Sequence, residues 1–315
     1  MTALSKELDR YLTIRRSLGY TLDKTERDLR RFIAFADQQN SKYVSTDLFL
    51  RWQTSFGHAK RPTWSARLGT VHLFAQWLHG LDPQHEVPSK ALIPPRYRRA
   101  RPYIYSDNEI RRIVEAAAEL PSATGIRALT YATFFALIAV TGLRIGEAIS
   151  LDDTDVDLEI GVLRIRRGKQ GKERFVPVSD STRAELKAYV QKRNRLLGSP
   201  PQSFFVSTRG SRITENNGQY NFANLCQKIG MRAPEKLGRH GRGPRIHDMR
   251  HSFCVRTMLN WYRTGLDVRR EMIKLSTYLG HCGPESTFWY IEAVPELLEL
   301  ASQRVTTSLS REVRS

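Results

Sequence analysis

The amino-acid sequence predicts a mainly α-helical protein of two domains, the second of which also contains a small antiparallel β-sheet. Apolar residues recur at helical spacing through most of the 315 residues, a length that favours two domains over one. Five prolines interrupt this pattern between residues 81 and 105, and near residue 162 the helical period gives way to a strand-like pattern. The prolines predict a boundary between domains, and the change of period predicts a β-hairpin.

The first predicted domain, residues 1–92, contains four helical segments. Two apolar stripes predict the first two helices: Leu4, Leu8, Leu12 and Ile14, then Leu29, Phe32, Ile33 and Phe35. Ser45 is suited to cap a third helix, and a fourth runs from about Pro62 to the stop signal Gly80. The apolar side of this fourth helix consists of Leu68, Val71, Phe74 and Trp77. A small four-helix domain is expected.

A basic linker, residues 93–105, follows. Prolines prevent regular helix there, and four arginines crowd together: Arg96, Arg98, Arg99 and Arg101. Such a segment suits contact with phosphates, which need positive charge but no base-edge geometry. Lys60 and Arg61, at the start of the fourth helix, are further candidates for DNA contact, although a solvated surface is the ordinary role of such residues.

The second predicted domain, residues 106–315, opens with a capping-box pattern at Ser106 and Glu109. An apolar helix runs from Leu129 to Val140, and Arg144 precedes another helical start. Residues 162–166 and 175–178 are predicted to be two strands joined by a polar turn. Helices return afterwards, interrupted by a basic, glycine-rich segment from 232 to 245 that contains the candidate DNA-binding residues Arg239 and Arg242. Residues 295–300 are predicted to be a short helix and 301–315 a polar tail.

The charge balance points to a polyanionic partner. Fifty Lys and Arg against 32 Asp and Glu give a net charge of +18, more than solubility requires. Nucleic acid is the leading candidate, with a merely basic surface or a ribosome-associated protein as alternatives.

The three cysteines are odd in number and form no CxxC pair, which argues against a disulfide framework and a structural zinc site. A signal peptide and membrane spans are not recognisable, so we expect a cytoplasmic protein.

Five local patterns in the second domain carry side chains suited to phosphoryl chemistry. They are Arg144 in TGLRIGE, Lys169 in RGKQGKERFVP, His247 and Arg250 in HDMRHSF, His281 in YLGH, and Tyr290 in STFWYI. Taken alone, each also fits a structural role: Arg144 an ion pair with Glu147, Lys169 a hairpin tip, Tyr290 a core aromatic. His247 and His251, four residues apart, could ligate a metal, but the motif lacks the HExxH glutamate and a third ligand.

The order and spacing of these patterns resemble those of the tyrosine recombinase (phage integrase) family. That family combines TGLR-x-x-E, a lysine in GK-x-x-KER-x-x-P, H-x-x-R before H-S/T-F, LGH, and a tyrosine nine residues after the LGH histidine. Here too Tyr290 follows His281 by nine residues. The resemblance covers about residues 103–305 and implies an α+β catalytic domain. The first domain more loosely matches the family's helical core-binding (SAM-like) DNA-binding domain.

The resemblance implies a role for each of these side chains. Tyr290 is the expected nucleophile, Arg144 and Arg250 bind the phosphate, His247 and His281 assist phosphate binding and proton transfer, and Lys169 is the general acid, with Lys172 as a less favoured alternative. The chemistry agrees: a guanidinium meets two phosphate oxygens bidentately, and a phenol with a reference pKa of about 10 needs a positive field and a proton acceptor.

These roles predict a site-specific DNA recombinase that works through a 3′-phosphotyrosine, without metal, ATP or another cofactor. The expected partner is double-stranded DNA at recombination sites, bound by a dimer at each site and a tetramer in synapsis; related recombinases are further partners, and no membrane is involved. The basic segment at 232–245 favours a mobile-element integrase or transposase, acting in a bacterial cytoplasm near the nucleoid. The alternatives are a type IB topoisomerase and a non-catalytic DNA-binding protein. The C-terminal segment either packs on its own domain or docks on a neighbouring protomer.

Overall fold

The computed structural model describes residues 2–55, 59–94, 102–166, 173–233, 243–280 and 285–312, with backbone alone at 285–286, 292–293 and 304–312. The chain divides into two compact units, Met1–Ala100 and Arg101–Ser315. Within the described ranges, no helix combines the length and apolarity that crossing a membrane requires.

Unit 1 consists of helices packed around an aromatic core. Its helices are α1 (Ala3–Ser17), α2 (Asp23–Gln38), α3 (Thr46–Ser55) and α4 (Arg61–His79). Phe32, Phe49 and Trp52 are at most 1% exposed and meet edge to face or tilted, an arrangement that aromatic quadrupoles favour. Ser45 accepts a hydrogen bond from Leu48 N, and α4 ends before Gly80, as the sequence predicted.

One residue of the first predicted stripe was assigned to the wrong face. Leu4, Leu8 and Leu12 are buried, but Ile14 is 42% exposed, and Tyr11 takes the core position instead. The reason is the helical period: Tyr11 lies three and seven residues from Leu8 and Leu4, on their face, whereas Ile14 is rotated away from Leu12.

Unit 2 begins with helices around a buried centre. α5 (Asp107–Ala118) starts with the predicted capping box, in which Ser106 and Glu109 each bond the other's backbone. α6 (Ile126–Thr141) lies at the centre of the core, and α5, α8 (Asp180–Leu197) and α10 (Ile246–Arg263) pack on it. Phe134 and Phe135 are fully buried there. Gly142 caps the end of α6, and the short α7 (Ile145–Ile149) follows.

The predicted hairpin forms the larger part of a three-stranded antiparallel sheet. β2 (Val162–Ile165) pairs with β3 (Arg174–Pro177), with Leu163 opposite Val176 and Ile165 opposite Arg174. A further strand, β1 (Val156–Asp157), pairs with the other edge of β2. The sequence did not predict β1, because a two-residue strand is too short to show an alternating pattern.

The last part of the chain forms a second cluster of buried residues. It follows α9 (Glu215–Lys228) and combines α10 with α11 (Val268–Leu279), α12 (Glu285–Ala293) and α13 (Pro295–Glu312). The predicted end of this helix at residue 300 was wrong, because α13 continues to Glu312. Residues 301–312 contain no glycine or proline, so nothing in the sequence ends the helix there. Leu297 is fully buried in the cluster, so the first turn of α13 packs on its own unit.

Gly142 is required by its backbone conformation and by its surroundings. Its φ is +64°, and an added Cβ would lie 2.6 Å from Cδ1 of Phe253. We expect Gly142→Ala to lower the free energy of unfolding by about 2–4 kcal/mol, since left-handed strain and overpacking add. Gly198 caps α8 with a φ of +76° and open space around it, so Gly198→Ala should cost only about 1 kcal/mol. Urea unfolding followed by fluorescence measures both; equal losses would contradict the packing argument.

Candidate active site

The carboxyl end of α11 holds two of the predicted phosphate-binding arginines. The Leu279 carbonyl accepts hydrogen bonds from Arg250 Nη2 at 2.7 Å and from Arg144 Nη1 at 3.4 Å. Arg144 Nη2 also donates to the Gly280 carbonyl at 3.3 Å, and Arg250 Nη1 to the Gly142 carbonyl at 2.6 Å. The last carbonyls of a helix lack partners within the helix and carry its negative dipole end, so they favour cations. Two segments far apart in the chain are thereby brought to one point.

A buried carboxylate fixes Arg144 from the other side. Glu147 accepts from Arg144 Nη1 at 2.7 Å and from Arg144 N at 2.9 Å, so the ion pair expected from the sequence is present. Arg174, at the start of β3, donates to both oxygens of Glu147 at 3.0 and 2.8 Å and through Nε to the Tyr278 carbonyl at 2.8 Å. Burial alone would raise the pKa of Glu147; the hydrogen bonds from Arg174 and Arg144 outweigh it and lower this pKa to about 2.

Arg250 lies in a low-dielectric setting beside another cation. It is 2% exposed, and its burial together with the charge of Arg144 lowers its pKa to about 10. The side chain is therefore still positively charged at pH 7. Two like charges held close together gain from an anion between them, so this arrangement is suited to bind a phosphate.

His247 lies on the exposed side of α10, one turn from Arg250. Partial desolvation of its ring and the charge of Arg250 lower its pKa, so the ring is neutral at pH 7. Its ring meets that of His251 edge to face, with 4.8 Å between centroids. Among the described residues, no group of three or more histidine, cysteine or acidic side chains is arranged to hold a metal ion.

Tyr290 lies on α12 with its side chain inside the second cluster. It is 1% exposed, and its hydroxyl is 2.7 Å from Nδ1 of His251. Its neighbours in the cluster include Cys254 and Met258 of α10 and Leu297 of α13. Tyr290 and Arg250 are close enough for their charges to interact. The tyrosine is therefore packed directly on the helix that also carries His247 and Arg250.

The structure thus groups four of the six predicted catalytic residues around α10 and the end of α11. Lys169 and His281 lie outside the described residues, as do the DNA-binding candidates Arg96, Arg98, Arg99, Arg101, Lys172, Arg239 and Arg242. Lys60 and Arg61 are exposed at the start of α4 in unit 1. The roles of all these residues stay predictions.

Sequence reasoning missed two polar side chains of this site. Arg174 lies within the KER pattern of the hairpin motif, which drew attention only to its lysines. His251 was considered as a metal partner of His247 and as the histidine that follows H-x-x-R in the family pattern, but it was given no catalytic role, although its position directly after Arg250 places it on the same helix. The carbonyls of residues 278–280 leave no side-chain signal at all, so they could not have been found from the sequence.

The pH dependence of stability tests whether the carboxyl group of Glu147 is buried and ionised. A pKa lowered from 4.5 to about 2 corresponds to roughly 3 kcal/mol. This stability is complete above pH 4.5 and is lost as the pH falls towards 2. We expect Glu147→Gln to lower the free energy of unfolding at pH 7 by roughly this amount and the deficit to shrink between pH 4.5 and 2.5, as urea titrations would measure.

Glu159 serves as the matched control. It is largely exposed and pairs with Lys187 at the surface, so Glu159→Gln should change stability by less than about 1 kcal/mol at every pH. A deficit of Glu147→Gln that stays constant over the whole pH range would contradict the assignment of a buried, ionised carboxylate.

The comparisons with known proteins agree with this geometry. Residues 104–296 match the model of the phage integrase family. A Sinorhizobium fredii protein named integrase/recombinase y4rB is 37% identical over 310 residues, covering 97% of this chain and 98% of the relative. The Escherichia coli tyrosine recombinase XerC is 27% identical over 299 residues, covering 92% of each chain.

Solved structures share the fold at lower sequence identity. The Tn1549 transposon integrase in complex with transposon right end DNA has a TM-score of 0.65 at 16% identity, covering 97% of this chain and all (100%) of the other. The XerH recombinase bound to palindromic difH substrate has a TM-score of 0.61 at 20% identity, covering 87% and 77%. A lambda integrase tetramer bound to a Holliday junction has a TM-score of 0.60 at 18% identity, covering 89% and 78%. With a family match over most of its length and a relative aligned from end to end, the chain belongs to the phage integrase family of tyrosine recombinases.

Proposed function

We propose that this protein recombines DNA at specific sites by cleaving one strand with Tyr290 and rejoining it through a 3′-phosphotyrosine. The observation that carries the proposal is the meeting of Arg144 and Arg250 at the Leu279 carbonyl, with Tyr290 packed on the helix that carries Arg250. Members of the family are site-specific recombinases, which agrees with the reaction that these side chains suit.

In the proposed reaction the two guanidiniums bind the non-bridging oxygens of the scissile phosphate and offset the charge that builds there. The Tyr290 oxygen attacks phosphorus and the 5′ oxygen leaves, taking a proton from a general acid, for which Lys169 is the candidate. The phosphotyrosine conserves the bond energy, so religation by a 5′ hydroxyl needs no ATP. None of these steps is assigned to a metal ion or another cofactor.

The proposed partner is double-stranded DNA, bound at specific sites by a dimer and joined in synapsis as a tetramer. The net charge of +18 supports a polyanionic partner. The structural relatives were solved with transposon end DNA, with a difH substrate, and as a tetramer on a Holliday junction. The likeness to a transposon integrase supports the movement of a mobile element as the biological role. We place this activity in the bacterial cytoplasm, at the nucleoid.

Replacing the nucleophile is the primary test. The recognition site is first selected from a random duplex library with Tyr290→Phe, which binds but does not cleave, and is then prepared with a nick beside the scissile phosphate. We expect the wild type to form a covalent protein–DNA adduct on denaturing gels, and Tyr290→Phe to form none while binding with unchanged affinity.

Tyr278→Phe is the control, because it removes a neighbouring phenol whose pKa burial raises to about 12, and it should keep the adduct. An adduct with Tyr290→Phe, or none with a tightly binding wild type, would overturn the proposal. Relaxation of any supercoiled plasmid by a monomer would instead favour the topoisomerase alternative.

Substitution of Arg174 tests whether holding Arg144 in a fixed position matters for cleavage. Lysine keeps the charge but has a single donor nitrogen, so it cannot reproduce the planar fork with which Arg174 bonds both oxygens of Glu147 and the Tyr278 carbonyl. We expect Arg174→Lys to slow single-turnover adduct formation about 10- to 100-fold at saturating protein, since a small displacement of Arg144 is enough. Arg183 on α8 makes a comparable surface pair with Asp180 and a bond to the Glu159 carbonyl, and Arg183→Lys should cleave normally. Equal rates for both variants would refute this role of Arg174.

A further inference from the structure

The proposed reaction, on which this inference rests, needs a group that removes the proton of Tyr290. A tyrosine hydroxyl has a reference pKa of about 10 and is almost wholly protonated at pH 7. The side chain of Tyr290 is 1% exposed, so bulk water has little access to it. A proton acceptor inside the protein can therefore act more readily than bulk solvent.

The structure brings one imidazole to the hydroxyl. His251 Nδ1 is 2.7 Å from the Tyr290 oxygen, within the range of a strong hydrogen bond. The His251 ring is 6% exposed and is held between aromatic neighbours, with centroids 4.8 Å from His247 and 5.8 Å from Trp289. This geometry fulfils the first condition for a general base, which is hydrogen-bond reach of the proton that it takes.

The other ionisable groups that the structure describes near the hydroxyl are less well placed, or less able, to accept its proton. Cys254 also makes a hydrogen bond with Tyr290, but burial raises the pKa of this thiol to about 11, so no thiolate is present at pH 7. On the same helix the His247 ring lies against the ring of His251, with 4.8 Å between centroids, whereas it is the His251 nitrogen that reaches the hydroxyl. Arg250 is a cation without an acceptor site. Arg144 is a second cation. The carboxylate of Glu147 already accepts hydrogen bonds from Arg144 and Arg174. Tyr278 of α11 has a raised pKa and stays a phenol.

We propose that His251 is a catalytic residue whose Nδ1 accepts the Tyr290 proton during strand cleavage. As the bond between the tyrosine oxygen and phosphorus forms, the O–H bond of Tyr290 breaks and its proton moves to Nδ1. The bond from phosphorus to the 5′ oxygen breaks at the same time, and the leaving oxygen is protonated by the general acid. In religation the steps reverse, and His251 returns the proton to the departing phenol.

Matched substitutions separate proton transfer from positioning. In His251→Asn the amide oxygen can occupy the place of Nδ1 and accept the same hydrogen bond, but it cannot take a proton; in His251→Gln the amide lies too far out for this bond. Single-turnover adduct formation on the nicked site is measured from pH 6 to 9, and DNA binding and thermal unfolding are measured alongside. We expect His251→Asn to bind like the wild type and to cleave at least about 100-fold more slowly at pH 7.

The pH profile gives a second signature. The wild-type rate should level off once His251 is neutral, whereas the rate of His251→Asn should rise about tenfold per pH unit, because hydroxide must then remove the proton. Replacement of Tyr290 by 3,5-difluorotyrosine, a more acidic phenol, should narrow the gap between the wild type and His251→Asn. This comparison is made within each folded background, so a partly destabilised variant still gives a decisive result.

The outcomes distinguish the two proposals. Wild-type rates and pH profile for His251→Asn, with loss of activity only in His251→Gln, would reduce His251 to a positioning residue and overturn this inference. A gap that the fluorinated tyrosine leaves unchanged would do the same. In both cases the absence of an adduct with Tyr290→Phe would leave the proposed function standing. An adduct formed by Tyr290→Phe would remove the proposed function itself.

Discussion

The backbone carbonyls at the end of α11 are the constraint on which the rest of the site depends. Tyr278, Leu279 and Gly280 accept hydrogen bonds from the guanidiniums of Arg174, Arg144 and Arg250. These arginines come from a strand, a loop and a helix that are far apart in the chain. A helix terminus has orphan carbonyls in any protein, and here three side chains satisfy them. The arrangement also explains why the glycine of YLGH is required: a Cβ at Gly280 would lie 3.1 Å from Arg174 Nη1.

The charge balance among the arginines around Glu147 explains why this site suits a phosphate. Arg144, Arg174 and Arg250 lie around one buried carboxylate, Glu147, so positive charge is left over. The pKa of Arg250 is lowered by its burial and by the charge of Arg144, which means that the cations repel each other without an anion. In the proposed reaction, a phosphodiester bound between these arginines would relieve that repulsion, and more so as its charge grows in the transition state.

The sequence predicted the helices and strands better than the contacts between side chains. Helices with clear caps, such as α5 behind Ser106 and α6 before Gly142, were predicted because local hydrogen bonds and apolar spacing determine them. Where the pattern was too short or absent, as in β1 and the last turns of α13, the prediction was missing or wrong. The site residues were predicted by resemblance, and of their hydrogen-bond partners only Glu147, three residues from Arg144, was predicted. The bonds of Arg174 to Glu147 and of His251 to Tyr290 depend on tertiary packing, which a one-dimensional pattern does not contain.

Tyr290 shows that the structural and the functional interpretation of a residue need not compete. Taken alone, an aromatic in an apolar helix is more often part of a core, and Tyr290 is indeed packed with Met258 and Leu297. That packing fixes the ring, and the fixed ring places its hydroxyl on His251. A nucleophile on a loop would lose conformational entropy in each catalytic cycle. A nucleophile anchored in the core has already lost that entropy during folding. The same burial limits the access of water to the phenol, which favours a proton acceptor supplied by the protein, and the proposed acceptor, His251, directly follows the predicted phosphate-binding residue Arg250 on α10.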